Sequence, residues 1–88
     1  MTTSTSVLVT VRYFGAARAA AAAESESLTV QHGTSVAELA ECLAARNQRL
    51  AAVLARSSYL CDGVAVRDPA GTLQNGQTID VLPPFAGG

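Results

Sequence analysis

The chain ends in Leu82-Pro-Pro-Phe-Ala-Gly-Gly88, and this segment carries the one grouping whose chemistry is not that of an ordinary surface. Pro83 and Pro84 lack backbone N–H donors and favour extended geometry, so the polypeptide leaves any sheet here instead of prolonging a ladder. From Pro83 to Gly88 the chain can span up to roughly 20 Å. Gly87 and Gly88 are thin enough for a narrow channel, and they leave the α-carboxylate of Gly88 as the distinctive reactive group. A free carboxylate is a poor electrophile and needs activation, for instance as an acyl-adenylate made by a separate ATP-dependent enzyme. The activated carbonyl could then accept sulfur, giving a thiocarboxylate, or an amine, giving an amide. Glycine-rich ends are often merely flexible. The rigid proline exit and the strand before it favour the working reading.

Elsewhere the side chains argue against self-contained catalysis. All six basic residues are arginine, so Walker A, Schiff-base and Ser-x-x-Lys chemistries have no lysine to use. His32 has no Cys or metal-ligand partner nearby in sequence and reads as a solvated or capping residue. Cys42 and Cys61 lack a CxxC or His-rich context and are expected to be reduced, buried core thiols. No metal site and no self-bound cofactor are expected. Arg12 and Arg18 read as strand and loop surface groups able to meet an acidic partner.

A net charge of -1 with no long charge run excludes accumulation on nucleic acid or an anionic membrane. The apolar run Val7 to Val11 is too short for a signal-peptide core or a membrane span, which gives a cytoplasmic expectation. The 88 residues suit one domain over 1–88, with 83–88 as an extended tail. Of its 43 apolar residues 17 are alanine, leaving 26 larger side chains. With stability of roughly 4 to 13 kcal/mol, most of these are needed simply to fold.

The elements that must position the tail follow from periodicity. Val7 to Phe14 is β-branched and aromatic, with Val7, Val9, Val11 and Tyr13 on one face. Gly15 to Glu24 favours helix but lacks large apolar anchors, predicting a loosely helical connection into a second strand, Ser27–Gln31. Ser35 and Glu38 form a capping box for the main helix, whose stripe is Val36, Leu39, Ala40, Leu43 and Ala44. Asn47 reads as its stop, and Leu50, Val53 and Leu54 as a further short helical piece. Asp62-Gly63 joins Ser58–Cys61 to Val64–Val66 in a tight hairpin, and Thr78–Leu82 is the last strand. This order predicts an α+β, β-grasp (ubiquitin-like) fold, a mixed sheet with one main helix on one face and its first and last strands central and parallel.

With Val11-Arg-Tyr-Phe-Gly-Ala-Ala-Arg18, Asp62-Gly63, Leu73-Gln-Asn-Gly76 and above all Leu82-Pro-Pro-Phe-Ala-Gly-Gly88, the sequence resembles the small sulfur-carrier subunit of molybdopterin synthase (MoaD/ThiS-like). The resemblance spans nearly the whole chain. It implies that Gly88 is adenylated by an E1-like adenylyltransferase and receives sulfur from a donor protein. The thiocarboxylate then enters the large catalytic subunit of a heterotetramer and gives its sulfur to cyclic pyranopterin monophosphate in molybdenum cofactor biosynthesis. It assigns Gly87 and Gly88 the tail role, and Phe85, with Pro83, Pro84 and Ala86, to the partner's groove. The Ala-rich segment after Gly15 departs from the more charged loop of the family. Alternatives are a carrier for thiazole, cysteine or tRNA thiolation, a ubiquitin-like modifier, and a binding module without terminal chemistry.

Overall fold

The computed structural model describes residues 6–84. Strand β1 (Ser6–Tyr13) pairs antiparallel with β2 (Ser25–Gln31), and Val7, Val9, Val11 and Tyr13 are all buried, as the alternation requires. Helices α1 (Gly15–Ala21), α2 (Val36–Ala44) and α3 (Gln48–Leu54) cover that buried face. The hairpin β3 (Ser58–Cys61) and β4 (Val64–Ala65) follows, and β5 (Thr78–Leu82) closes the sheet. The strand order is β2-β1-β5-β3-β4, with β1 and β5 parallel. This is the expected β-grasp architecture. Among the described residues no helix is long and apolar enough to cross a membrane.

Local chemistry sets most of the boundaries. Ser35 Oγ accepts from the Glu38 N–H while the Ser35 N–H donates to Glu38 Oε1, which is the predicted capping box. Asp62 and Gly63 adopt φ of 49° and 83°, the paired positive values that a two-residue hairpin turn needs. Val36, Leu39 and Leu43 are buried at helical spacing, with Leu50 and Leu54 of α3 completing the layer.

Four expectations change. The segment after Gly15 is a formed helix, not a loose connection: Ala17 is fully buried and α1 rests against α3, β1 and β5. Alanine's small side chain permits this close approach, where the sequence reading looked for large anchors. Strand β2 starts two residues earlier than expected, at Ser25, because it continues to pair with β1 as far as Arg12. Asn47 begins α3 instead of ending α2, its Oδ1 accepting from the Leu50 N–H at 2.6 Å. Cys42 is exposed and Cys61 only half-buried. Cys42 sits about 100° around α2 from Leu43, off the apolar stripe.

Edge strand and helix layer are tied by a polar triad. Tyr13 donates its hydroxyl to Glu26 Oε2 at 2.6 Å, and Arg46 Nη1 donates to the same oxygen at 2.7 Å. Burial, and then the Glu26 carboxylate, push the Tyr13 phenol well above its ordinary value. The Arg46 hydrogen bond holds Glu26 below the usual carboxylate range, although partial burial opposes it.

Two outcomes follow from this packing. Ala17→Leu is expected to destabilise the fold by about 1–3 kcal/mol through overpacking under α1, read from urea unfolding midpoints. Because Glu26 is depressed in the folded state, its stabilising contribution is complete above the unfolded carboxylate value and is lost as pH falls through the native one. Between neutral pH and roughly pH 3, Glu26→Gln should therefore lose less stability than the unsubstituted chain. Equal losses would show that this carboxylate makes no such contribution.

Candidate functional site

The tail is rooted in the middle of the sheet. β5 lies between β1, which it meets in parallel with Val81 opposite Tyr13, and β3, where Leu82 stands opposite Ser58. Its start is held by Asp62, whose Oδ1 accepts from the Thr78 N–H while its own N–H donates to the Thr78 carbonyl. Thr10 donates its N–H to the Gln77 carbonyl, and the Leu8 N–H donates to Asn75 Oδ1, so the preceding loop is pinned to β1. The strand ends at Leu82, and Pro83 and Pro84 continue without helix or strand, as their missing donors dictate. Phe85, Ala86, Gly87 and Gly88 lie outside the described residues.

Alternation along β5 sends Ile79 and Val81 into the helix-covered core and Thr78, Asp80 and Leu82 to the open face. Asp80 is only 5 % exposed there. A carboxylate so placed needs a partner, and Arg12 supplies one through Nε to Oδ1 at 2.6 Å and Nη2 to Oδ2 at 2.8 Å. The Arg12 side chain stays 53 % exposed, and its guanidinium carbon lies 5.6 Å from the centre of the Phe14 ring. The Asp80 carboxylate raises the Arg12 pKa by hydrogen bonding and charge. Leu60 of β3 sits directly opposite Asp80. The base of the tail is thus a face with one ion pair at its centre, bordered by Leu60, Leu82 and Phe14, with exposed Leu8 farther along β1.

His32 is exposed beyond the end of β2. The Cys61 thiol is pushed up, by burial first and then by Asp62, which disfavours the thiolate. Cys42 is on α2, in the layer on the other side of the sheet from the ion pair. Arg18 turns back, its Nε donating to the Tyr13 carbonyl at 3.4 Å. Among the described residues no group of three metal-ligating side chains occurs. An apolar groove between α2, α3 and Tyr59 measures about 190 Å³, below the roughly 300 Å³ of ordinary ligand clefts.

Sequence reasoning treated Arg12 as an ordinary surface arginine. Its partner is 68 residues away, and only the parallel β1–β5 register brings them together. The available signal was Asp80 itself, one acid set between the aliphatic Ile79 and Val81 of the last strand.

The mixed sheet with its helices on one face, and a last strand that is interior and ends at Leu82, define a ubiquitin-like, β-grasp protein. Residues 11–88 match the ThiS family model, and the chain belongs to the ThiS family. No functionally curated protein matches the sequence. Among solved structures, the chain is similar to a candidate molybdopterin converting factor, subunit 1, from Pyrococcus furiosus, at 24% identity and TM-score 0.80, covering 90% of this chain and 99% of that one. It is similar to small archaeal modifier protein 1 (SAMP1) of Haloferax volcanii at 17% identity and TM-score 0.79, covering 92% and 99%. The third is the complex of subunits 1 and 2 of molybdopterin-converting factor from Helicobacter pylori, at 23% identity and TM-score 0.66, covering 93% and 100%. At these identities the likeness establishes the fold.

Removing Arg12 strands a buried carboxylate, whereas removing both partners does not. Arg12→Ala should therefore lower the urea midpoint more than Asp80→Asn or the Arg12→Ala/Asp80→Asn double variant. Additive losses in that cycle would show that the two groups are not coupled.

Proposed function

We propose that the chain is a sulfur carrier acting as the small subunit of molybdopterin synthase, non-catalytic on its own. The observation that carries this reading is the tail's root: an interior strand ending at Pro83-Pro84, beside an open face fit for docking. Membership of the ThiS family supports it, as do the structural neighbours described as subunit 1 of molybdopterin converting factor.

In this reading an E1-like adenylyltransferase binds ATP, and the Gly88 carboxylate attacks the α-phosphorus, expelling pyrophosphate. A sulfur donor protein then delivers hydrosulfide, which attacks the acyl-adenylate carbonyl; the C–O bond to AMP breaks, AMP departs, and Gly88 becomes a thiocarboxylate. Phe85 anchors the tail in the large subunit's groove together with Pro83, Pro84 and Ala86, since aromatic side chains buried at interfaces carry much of their affinity. Gly87 lets the end pass a narrow channel. The thiocarboxylate sulfur bonds to cyclic pyranopterin monophosphate, water cleaves the acyl carbon–sulfur bond so that each spent carrier returns with its carboxylate, and two such transfers build the dithiolene. The partner complex of the Helicobacter pylori neighbour is the precedent for a large subunit.

The second reading is a ubiquitin-like modifier, favoured by the likeness to small archaeal modifier protein 1. There an amine on another protein displaces AMP and forms an amide. Intact-mass analysis of the protein from cells separates the two: replacement of one oxygen by sulfur at Gly88 is expected, and a ladder of heavier conjugates would favour the modifier. Deleting Gly88 should abolish precursor conversion by the reconstituted synthase, and retained conversion would refute terminal chemistry altogether.

A further inference from the structure

The two edges of the sheet are built differently. β4 is two residues long, the Val66 N–H adds one bond to the Tyr59 carbonyl, and Arg67-Asp68-Pro69 follows, a short edge that resists further pairing. β2 has seven residues, Ser25–Gln31, in unbroken register with β1, with no bulge, proline or basic residue. Among the described residues no element pairs with its outer side.

Hydrogen-bond parity identifies which groups face outward. The Tyr13 N–H donates to the Glu24 carbonyl, and bonded pairs recur at every second position of an antiparallel ladder. Glu26, Leu28 and Val30 therefore bond to Val11, Val9 and Val7. The outward backbone groups belong to Ser25, Ser27, Thr29 and Gln31, whose small or uncharged side chains are exposed. The Gln31 carbonyl also accepts from the Thr34 N–H.

We infer that this edge is a self-association surface on which a second copy of the chain pairs antiparallel about Leu28. Only registers that oppose outward groups to outward groups can form the ladder. One of them overlaps all seven residues: Ser25 opposite Gln31 of the second copy, Ser27 opposite Thr29, and Leu28 opposite its own symmetry mate. That register is isologous, as a two-fold dimer requires. It opposes no like charges, since Glu26 meets Val30, and beyond the strand ends it aligns Glu24 with His32. A shift of two residues either way shortens the overlap and aligns Glu24 with Val30 or Glu26 with His32. Glu26 is already committed to Tyr13 and Arg46. Leu28 and Val30, half-buried against the core, would lose their remaining exposure. Pairing two seven-residue strands covers less than the roughly 1,200 Å² of a standard stable interface, so the dimer is weak and concentration-dependent.

Sedimentation velocity and amide hydrogen exchange on the full chain across a concentration series test this. The expected result is growth of a dimer together with rising protection of the Ser25, Ser27, Thr29 and Gln31 amides. Thr29→Pro removes one outward donor and no bond to β1, and edge strands tolerate proline at such positions. Thr29→Lys does the same work by charge should the proline disturb the fold. Either variant should remain monomeric at concentrations where the unsubstituted chain dimerises, with an unchanged near-ultraviolet spectrum. A monomer at every concentration, a dimer indifferent to Thr29→Lys, or edge amides protected only by an added extended peptide would overturn the inference.

Discussion

The parallel pairing of β1 with β5 is the constraint on which the rest of the molecule depends. Parallel neighbours cannot be joined by a tight turn, so everything between Tyr13 and Thr78 serves as the crossover. That crossover contains the helices which seal one face and the hairpin that flanks β5 on its far side. Because β5 has a bonded strand on each side, its backbone is committed up to Leu82. Pro83 and Pro84 then leave from a fixed point at the centre of the sheet.

The two faces of that sheet do different physical work. The helix face is closed by aliphatic packing, and alanine is a working part of it: Ala17 is fully buried on α1, which packs against α3, β1 and β5. The open face holds a buried acid, Asp80, that is tolerable only because Arg12 gives it a bidentate partner. Half-exposed and stacked near Phe14, Arg12 also shapes the surface from which the tail departs. Fold and candidate docking face thus share one ion pair.

Tail and outer edge are separated by the width of β1, since the strand order runs β2-β1-β5. Pairing at β2 would therefore leave Pro83 and Pro84 unobstructed. Self-pairing at that edge and use of the segment after Leu82 would be compatible within one small sheet.

Local order was legible where a short-range rule decides it. Alternation from Val7 to Tyr13, the Ser35–Glu38 box, the Asp62-Gly63 turn and the proline exit all act within a few residues, and the structure keeps each of them. The same rules misread Asn47, since an amide that can end one helix can equally cap the next. They misplaced Cys42 as well, through a general preference of cysteine for the interior. The family resemblance was carried by linear motifs for the same reason. What only the tertiary structure decided are the relations between distant residues: Arg12 with Asp80, Tyr13 with Glu26 and Arg46, and the unequal edges β2 and β4. These depend on strand order and register, which arise from closing the whole core and are written in no single stretch of chain.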